Sequence, residues 1–270
     1  MNNSLLLNLQ KNVGYLGEQI QKILIEFGKF IEFVFKASAW IFRKPYRSAV
    51  YLKQMEFIGV KSTGIVMLVG LFSGAVFALQ TGYAFAMFNA ESMVGATVGI
   101  ALARELAPVF TALMVVARAG SAMAAEIGTM EVTEQVDALR AMAVHPLQYL
   151  VSPRLLAGTL MLPLLTALFL GIGLMGAYFV AVGYLNIPEG PFIQQMNFIL
   201  DAGDIVQGLL KSAVFGFVLT AISTYQGINT RGGAEGVGKA TTRAVVYASV
   251  SILVLDYFLT TWILELFPKF

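Results

Sequence analysis

The sequence predicts an all-α integral membrane protein, with an N-terminal interfacial amphipathic helix followed by five transmembrane helices. Three observations carry this prediction. Of 270 residues, 57% are hydrophobic and only 13% charged, about half the charged share of a soluble domain. The mean hydropathy is +0.74. Five apolar stretches are each long enough to cross a hydrocarbon core, which takes about 20 helical residues. The net charge of +2 and the lack of a Lys/Arg-rich tract argue against a nucleic-acid partner. Without cysteine there is no disulfide or thiolate chemistry, and a lone His145 excludes a multi-histidine metal site. Met1–Asn8 lacks a basic n-region and no small-residue cleavage site follows, so no cleavable signal peptide is expected.

Residues 1–61 read as interfacial elbow helices and 62–270 as the transmembrane domain. Within residues 4–42, Leu9, Val13, Leu16, Ile20, Ile23, Phe27, Ile31 and Val34 recur at spacings of three and four, and Lys11, Glu18, Lys22, Lys29, Glu32 and Lys36 fall between them. Such a helix can lie in the membrane interface or pack on a soluble partner. Arg43-Lys44-Pro45 breaks it, and Tyr46–Lys61 forms a second short, basic, interfacial piece. The five spans are placed at Thr63–Phe88, Thr97–Ala117, Leu155–Gly183, Ile205–Gly227 and Ala244–Leu266.

Basic residues set the orientation. Nine of the eighteen precede the first span, and the loops Asn89–Ala96 and Tyr184–Asp204 have none. Arg118, Arg140, Arg154, Arg231, Lys239 and Arg243 lie in the other two connections. This pattern predicts the N-terminus inside and the C-terminus outside. Small residues recur every fourth position at Gly70, Gly74, Ala78 and Gly82, at Gly99, Ala103, Ala107 and Thr111, and at Gly208, Ser212, Gly216 and Thr220. The third span carries Gly171, Gly173 and Gly176. These stripes let helix backbones approach closely, within the chain or across a dimer seam.

Ionisable side chains inside a span cost about 2.5–3.5 kcal/mol each on insertion scales, which marks them as functional candidates. Arg104, Glu105, Lys211 and Asp256 converge on one layer in the outer half. Pro108 deprives the Arg104 carbonyl of its helical donor, so a kink is expected at Arg104-Glu105. One reading makes this a polar pocket, with Arg104 or Lys211 on a lipid phosphate and Glu105 and Asp256 orienting them. The other is a structural network pairing Glu105 with Lys211 and Arg104 with Asp256. On the inner side, Glu131–Met142 reads as a short amphipathic helix with Val132, Val136 and Leu139 on one face. Helices this short are marginal alone, so it should dock on a partner. Gly233–Ala240 nearly matches G-x-x-x-x-G-K-[ST], but Ala240 replaces the Mg²⁺-binding hydroxyl and no strand precedes it. No catalytic set appears, so an enzyme is not expected.

The stretches Ala103–Val109, Ala117–Met130, Thr133–Leu139 running into Val144-His145-Pro146, Ser152-Pro153-Arg154, Lys239–Val245 and Leu255–Thr260 resemble the MlaE/YrbE family of ABC permeases. The resemblance spans roughly Lys61 to the C-terminus. It implies a permease of the bacterial inner membrane that binds phospholipid between two copies of itself. It further implies a cytoplasmic ABC ATPase that holds ATP and Mg²⁺, an accessory STAS-domain protein and a periplasmic MCE-domain hexamer, with no cofactor in this chain. The Glu131–Met142 helix is similar to the family's coupling helix, which gives Glu131, Glu134, Gln135, Asp137 and Leu139 an ATPase-coupling role. Lipid is implied against spans one, two and five, near Phe77, Gln80, Tyr83 and the Arg104-Glu105 bend, and the buried charges Lys211 and Asp256 read above join these as candidates. Ala143 departs from the glycine often found in a related importer loop. The competing class is an ATP-independent transporter or channel using the buried charges as an ion or proton relay, and a third is a scaffold anchoring an envelope complex. The lack of an inverted repeat counts against most secondary-transporter designs.

Overall fold

The computed structural model describes residues 3–43 and 47–266, which form helices joined by short turns. In chain order these are α1 (Asn3–Ile41), α2 (Ser48–Ile58), α3 (Thr63–Ala86), α4 (Val94–Ala101), α5 (Ala107–Val115), α6 (Ser121–Val132), α7 (Gln135–Ala141), α8 (Ser152–Tyr178), α9 (Glu189–Ile199), α10 (Ala202–Ile228) and α11 (Gly233–Leu266). Lys44 and Pro45 of the expected helix break, and Tyr46 at the head of the next piece, lie outside the described residues.

Five rods are long and apolar enough to cross a membrane: Ser48–Ala86, Glu91–Val132, Leu147–Tyr184, Ala202–Ile228 and Gly233–Ile263. The chain is therefore a multi-pass membrane protein. The rods are longer than the apolar stretches at their centres, because helix continues into the charged flanks. The second runs to Val132, carrying Arg118 inside a helix where the apolar pattern alone ends at Ala117. Successive rods alternate in direction, which puts α7 at one end of the bundle and α9 at the other. The connection 185–201, expected as a plain loop, contains α9 lying against α4.

Backbone proximity rather than side-chain volume organises the centre. The stripe Gly70, Gly74, Ala78 and Gly82 is wholly buried on α3 and faces α8. A Cβ on Gly74 would overlap the Gly173 carbonyl group, so at this crossing only hydrogen fits. The core around it is built from Leu102, Met123, Leu162, Leu165, Phe169, Phe215 and Leu219, all at most 2% exposed. Leu68, Phe72, Val76, Leu160, Leu164, Leu168, Leu253 and Phe258 stay exposed on the flanks. That distribution suits a chain whose perimeter faces acyl tails.

Helix α1 docks its second half on the α7 end of the bundle, against α8 and α10. Phe30, Phe33, Val34, Ala37 and Ile41 make the contact. Phe30 and Phe33 meet the Tyr225 ring edge-on, and Ser152 Oγ donates to the Ala37 carbonyl at 2.8 Å. Of the expected stripe, Val34 joins this packed face, while Phe27 and Ile31 stay exposed and available to an interface. The side chains of Leu9, Val13, Leu16, Ile20 and Ile23 lie outside those described.

Candidate functional site

The rod α4–α5–α6 is interrupted by two π-helical turns, Leu102–Leu106 and Val116–Gly120. The first is where Pro108 predicts a kink. Proline has no N–H to offer the Arg104 carbonyl, and an i→i+5 register relieves the clash by widening the turn. The freed carbonyl is not left orphaned, because Lys211 Nζ on α10 donates to it at 3.1 Å. Gly208, one turn before Lys211, makes the approach feasible, since a Cβ there would strike the Ala103 carbonyl oxygen.

Lys211 is fully buried. Its ammonium also meets Glu105 Oε2 at 2.7 Å, Asp256 Oδ1 at 3.1 Å and Thr260 Oγ1 at 2.7 Å. Thr260 in turn donates to the Asp256 backbone carbonyl, one turn back on α11, at 2.8 Å. An ammonium carries three N–H groups, so four acceptors saturate it. A buried charge is tolerated only when paired and hydrogen-bonded in this way.

Arg104 takes a different partner from the one expected. Its Nε and Nη2 lie 2.9 and 2.7 Å from Asp204 Oδ1, and Asp256 belongs to Lys211 instead. Asp204 sits in the first turn of α10, deeper in the structure than its place at the edge of a loop suggested. Its other oxygen accepts from the Asp201 N–H at 2.9 Å, closing a capping box in which Asp201 Oδ1 accepts from the Ala202 N–H at 2.8 Å. One carboxylate thus starts a helix and holds a guanidinium. The spacing Asp201-x-x-Asp204 reads as a cap from sequence, but its tie to a residue one hundred positions earlier does not. Thr260 was likewise missed, although its i+4 relation to Asp256 is a helical signal.

The exposures grade outward. Lys211 is at 0%, Asp256 at 21%, Arg104 at 23% and Glu105 at 38% of their side-chain surface. Arg104 and Glu105 therefore form the open edge of the cluster. Phe77 is half-buried and Gln80 and Tyr83 are exposed on α3, which packs on α8, α4 and α5 rather than on α10 or α11. Within one chain the seven lipid-site candidates thus divide into a charged cluster and a separate α3 face.

At the other end, the helix expected over Glu131–Met142 is split. Helix α6 ends at Val132, and Glu134 adopts φ +60 before α7 begins. Glu131 therefore lies in the last turn of the long rod, while Gln135, Asp137 and Leu139 ride on α7. Val136 is buried and Leu139 half-buried against the bundle, leaving Glu134, Gln135 and Asp137 exposed. A groove of about 510 Å³, lined by Arg140, His145, Pro146 and Ile228 among others, runs beside α7. Ala143 has φ +57, the left-handed conformation that favours glycine. Buried Arg154 anchors this region by pairing with Glu126 at 2.8 Å and donating to the Leu150 carbonyl at 2.7 Å. Arg118 bonds the Phe57 carbonyl and Ser62 Oγ, tying the second rod to the elbow.

A family model described as Permease MlaE matches residues 51–262. A probable ABC transporter permease protein of Rickettsia felis is 41% identical over 265 residues, covering 98% of this chain and all of the relative. The intermembrane phospholipid transport system permease protein MlaE of Haemophilus influenzae is 42% identical over 210 residues, 77% of this chain and 80% of the relative. The chloroplastic protein trigalactosyldiacylglycerol 1 of Arabidopsis thaliana is 37% identical over 214 residues, 79% of this chain and 61% of the relative.

Proposed function

Because the chain belongs to the MlaE permease family, we propose that it is the membrane subunit of an ABC-type phospholipid transporter in the bacterial inner membrane. Two copies hold a lipid between them, and a separate ATPase, carrying ATP and Mg²⁺, drives its release. The observation that carries this reading is the open edge formed by Arg104 and Glu105, 23% and 38% exposed inside a membrane-spanning rod. Charged groups left against acyl tails cost about 2.5–3.5 kcal/mol each. That edge therefore faces something polar. A lipid headgroup enclosed between two permeases fits it, with Phe77, Gln80 and Tyr83 contributed from the α3 face.

Orientation follows from charge. Lys53, Lys61, Arg140, Arg154, Arg231, Lys239 and Arg243 all belong to the α7 end, while the connections at the α9 end carry no basic residue among those described. The α7 end is cytoplasmic by the positive-inside rule. Helix α7, anchored by Val136 and Leu139 with its acidic side exposed, then meets the ATPase, with Glu131 at the end of the adjoining rod. A periplasmic MCE-domain hexamer at the α9 end and a STAS-domain protein beside the ATPase complete the assembly we propose. Closure of the ATPase pair moves α7 and narrows the space around the lipid, a two-state rocking scheme.

Two experiments test this. Mass spectrometry of the purified complex should find phospholipid at a stoichiometric level in wild type and a severalfold loss in Arg104→Ala with the complex intact. Lipid at unchanged occupancy would return Arg104 to a packing role. For the coupling role, Glu134→Lys should leave ATP hydrolysis and folding in place while transport falls at least about tenfold, the effect of roughly 1.4 kcal/mol. Wild-type transport in that variant would remove Glu134 from the ATPase interface.

A further inference from the structure

Lys211 has no capacity left for a ligand. It is wholly buried, and four acceptors surround its three N–H groups. Arg104 does have capacity, because only Nε and Nη2 engage Asp204 and the guanidinium is partly exposed. Beside it, Glu105 gives Oε2 to Lys211, whereas Oε1 meets the Thr260 hydroxyl at 3.3 Å, with the Asp256 carboxyl as a further neighbour of this side chain. The Thr260 hydroxyl proton is already directed to the Asp256 carbonyl at the shorter distance of 2.8 Å. Among the described residues Glu105 Oε1 thus has no cation of its own, on the most exposed residue of the cluster.

The charges are also uneven. Glu105, Asp204 and Asp256 supply three carboxyls against the two cations Arg104 and Lys211. The connections at this end add Glu91, Glu189 and Asp201, and no basic residue among those described. An anionic headgroup would add negative charge to a layer that already carries an excess of acid. A headgroup bearing both a phosphate and an ammonium answers both edges, because the nitrogen supplies a donor and the missing positive charge.

We propose that the site selects zwitterionic, ammonium-bearing phospholipid, with Arg104 taking the phosphate and Glu105 Oε1 the headgroup nitrogen. This rests on the phospholipid-carrier reading above. The test uses the full-length permease, purified with its partners and equilibrated with vesicles of equal parts phosphatidylethanolamine and phosphatidylglycerol. Retained lipid is then quantified by mass spectrometry. Wild type should retain the ethanolamine lipid in roughly fivefold excess, the scale of a partly exposed ion pair. Glu105→Gln should keep lipid but lose that excess. Retention of both lipids in the vesicle ratio by wild type overturns the headgroup preference while leaving the carrier reading intact. Retention of neither overturns the carrier reading itself. An ethanolamine excess that survives in Glu105→Gln removes Glu105 from the recognition. Should that variant fail to purify, the wild-type ratio still decides whether the preference exists, and Glu105→Asp, which keeps the charge, should preserve it.

Discussion

Lys211→Met is expected to destabilise the folded permease by about 3–5 kcal/mol, the usual result of removing one partner from a buried ionic network. For a chain of this size that is a fall of roughly 6–20 °C in melting temperature. The cause is what stays behind. Glu105 Oε2 and Asp256 Oδ1 lose the cation at 2.7 and 3.1 Å, and the proline-freed Arg104 carbonyl loses the Lys211 donor, all inside membrane-spanning rods. Adding Glu105→Gln and Asp256→Asn to Lys211→Met should recover part of the loss, because amides are cheaper to bury than unpaired carboxylates. Thermal unfolding in detergent, followed by size-exclusion chromatography, measures both. A melting temperature within 2 °C of wild type for the single variant would mean that the ammonium is not the keystone of this layer.

Gly74→Val is expected to be comparably severe. A Cβ at Gly74 meets the backbone of Gly173 rather than a side chain that can turn away. Overpacking a core costs about 1–3 kcal/mol when side chains can adjust, and here α3 and α8 must separate as whole helices. Gly171→Val supplies the control. It lies half a turn from Gly173 on the exposed side of α8, where a Cβ meets nothing within 4 Å, so its melting temperature should stay close to that of wild type. Equal damage from the two substitutions would show that helix propensity, and not the α3–α8 crossing, governs the effect.

Much of this architecture is written in local signals. Five apolar stretches find five rods, the proline finds the π-helical turn, and the fourfold-spaced glycines find the close crossings. The pairing of charges was legible only in part. Glu105 with Lys211 follows from equal depth in neighbouring spans, but Arg104 with Asp204 does not. Hydropathy assigns Asp204 to a loop, and only the docking of α10 on the π-helical turn carries it to the guanidinium. The helices run beyond the predicted spans where charged flanks stay helical, as at Val132, because hydropathy reports where lipid begins and not where hydrogen bonding ends. The division at Glu134 turns on one left-handed residue that no apolar period reveals. The α1 face that packs on the bundle was not legible, because Phe30, Phe33 and Ala37 are chosen by contacts with Tyr225 and Ser152 that lie far away in sequence.

The buried layer is assembled from parts made far apart in time. Glu105 and Lys211 are separated by 106 residues, and Thr260 follows Glu105 by 155. At about 5–20 residues per second, roughly 5–20 s of synthesis pass between the emergence of Glu105 and that of the lysine that pairs with it, and Asp204, the partner of Arg104, emerges only just before that lysine. During that interval the second rod carries two formal charges and a proline-broken turn without its counter-ion or the donor for its freed carbonyl. Insertion of this rod ahead of α10 would cost about 2.5–3.5 kcal/mol for each unpaired charge. The order of residues along the chain thus makes this layer the last part of the bundle to be completed, once α10 and α11 have been made.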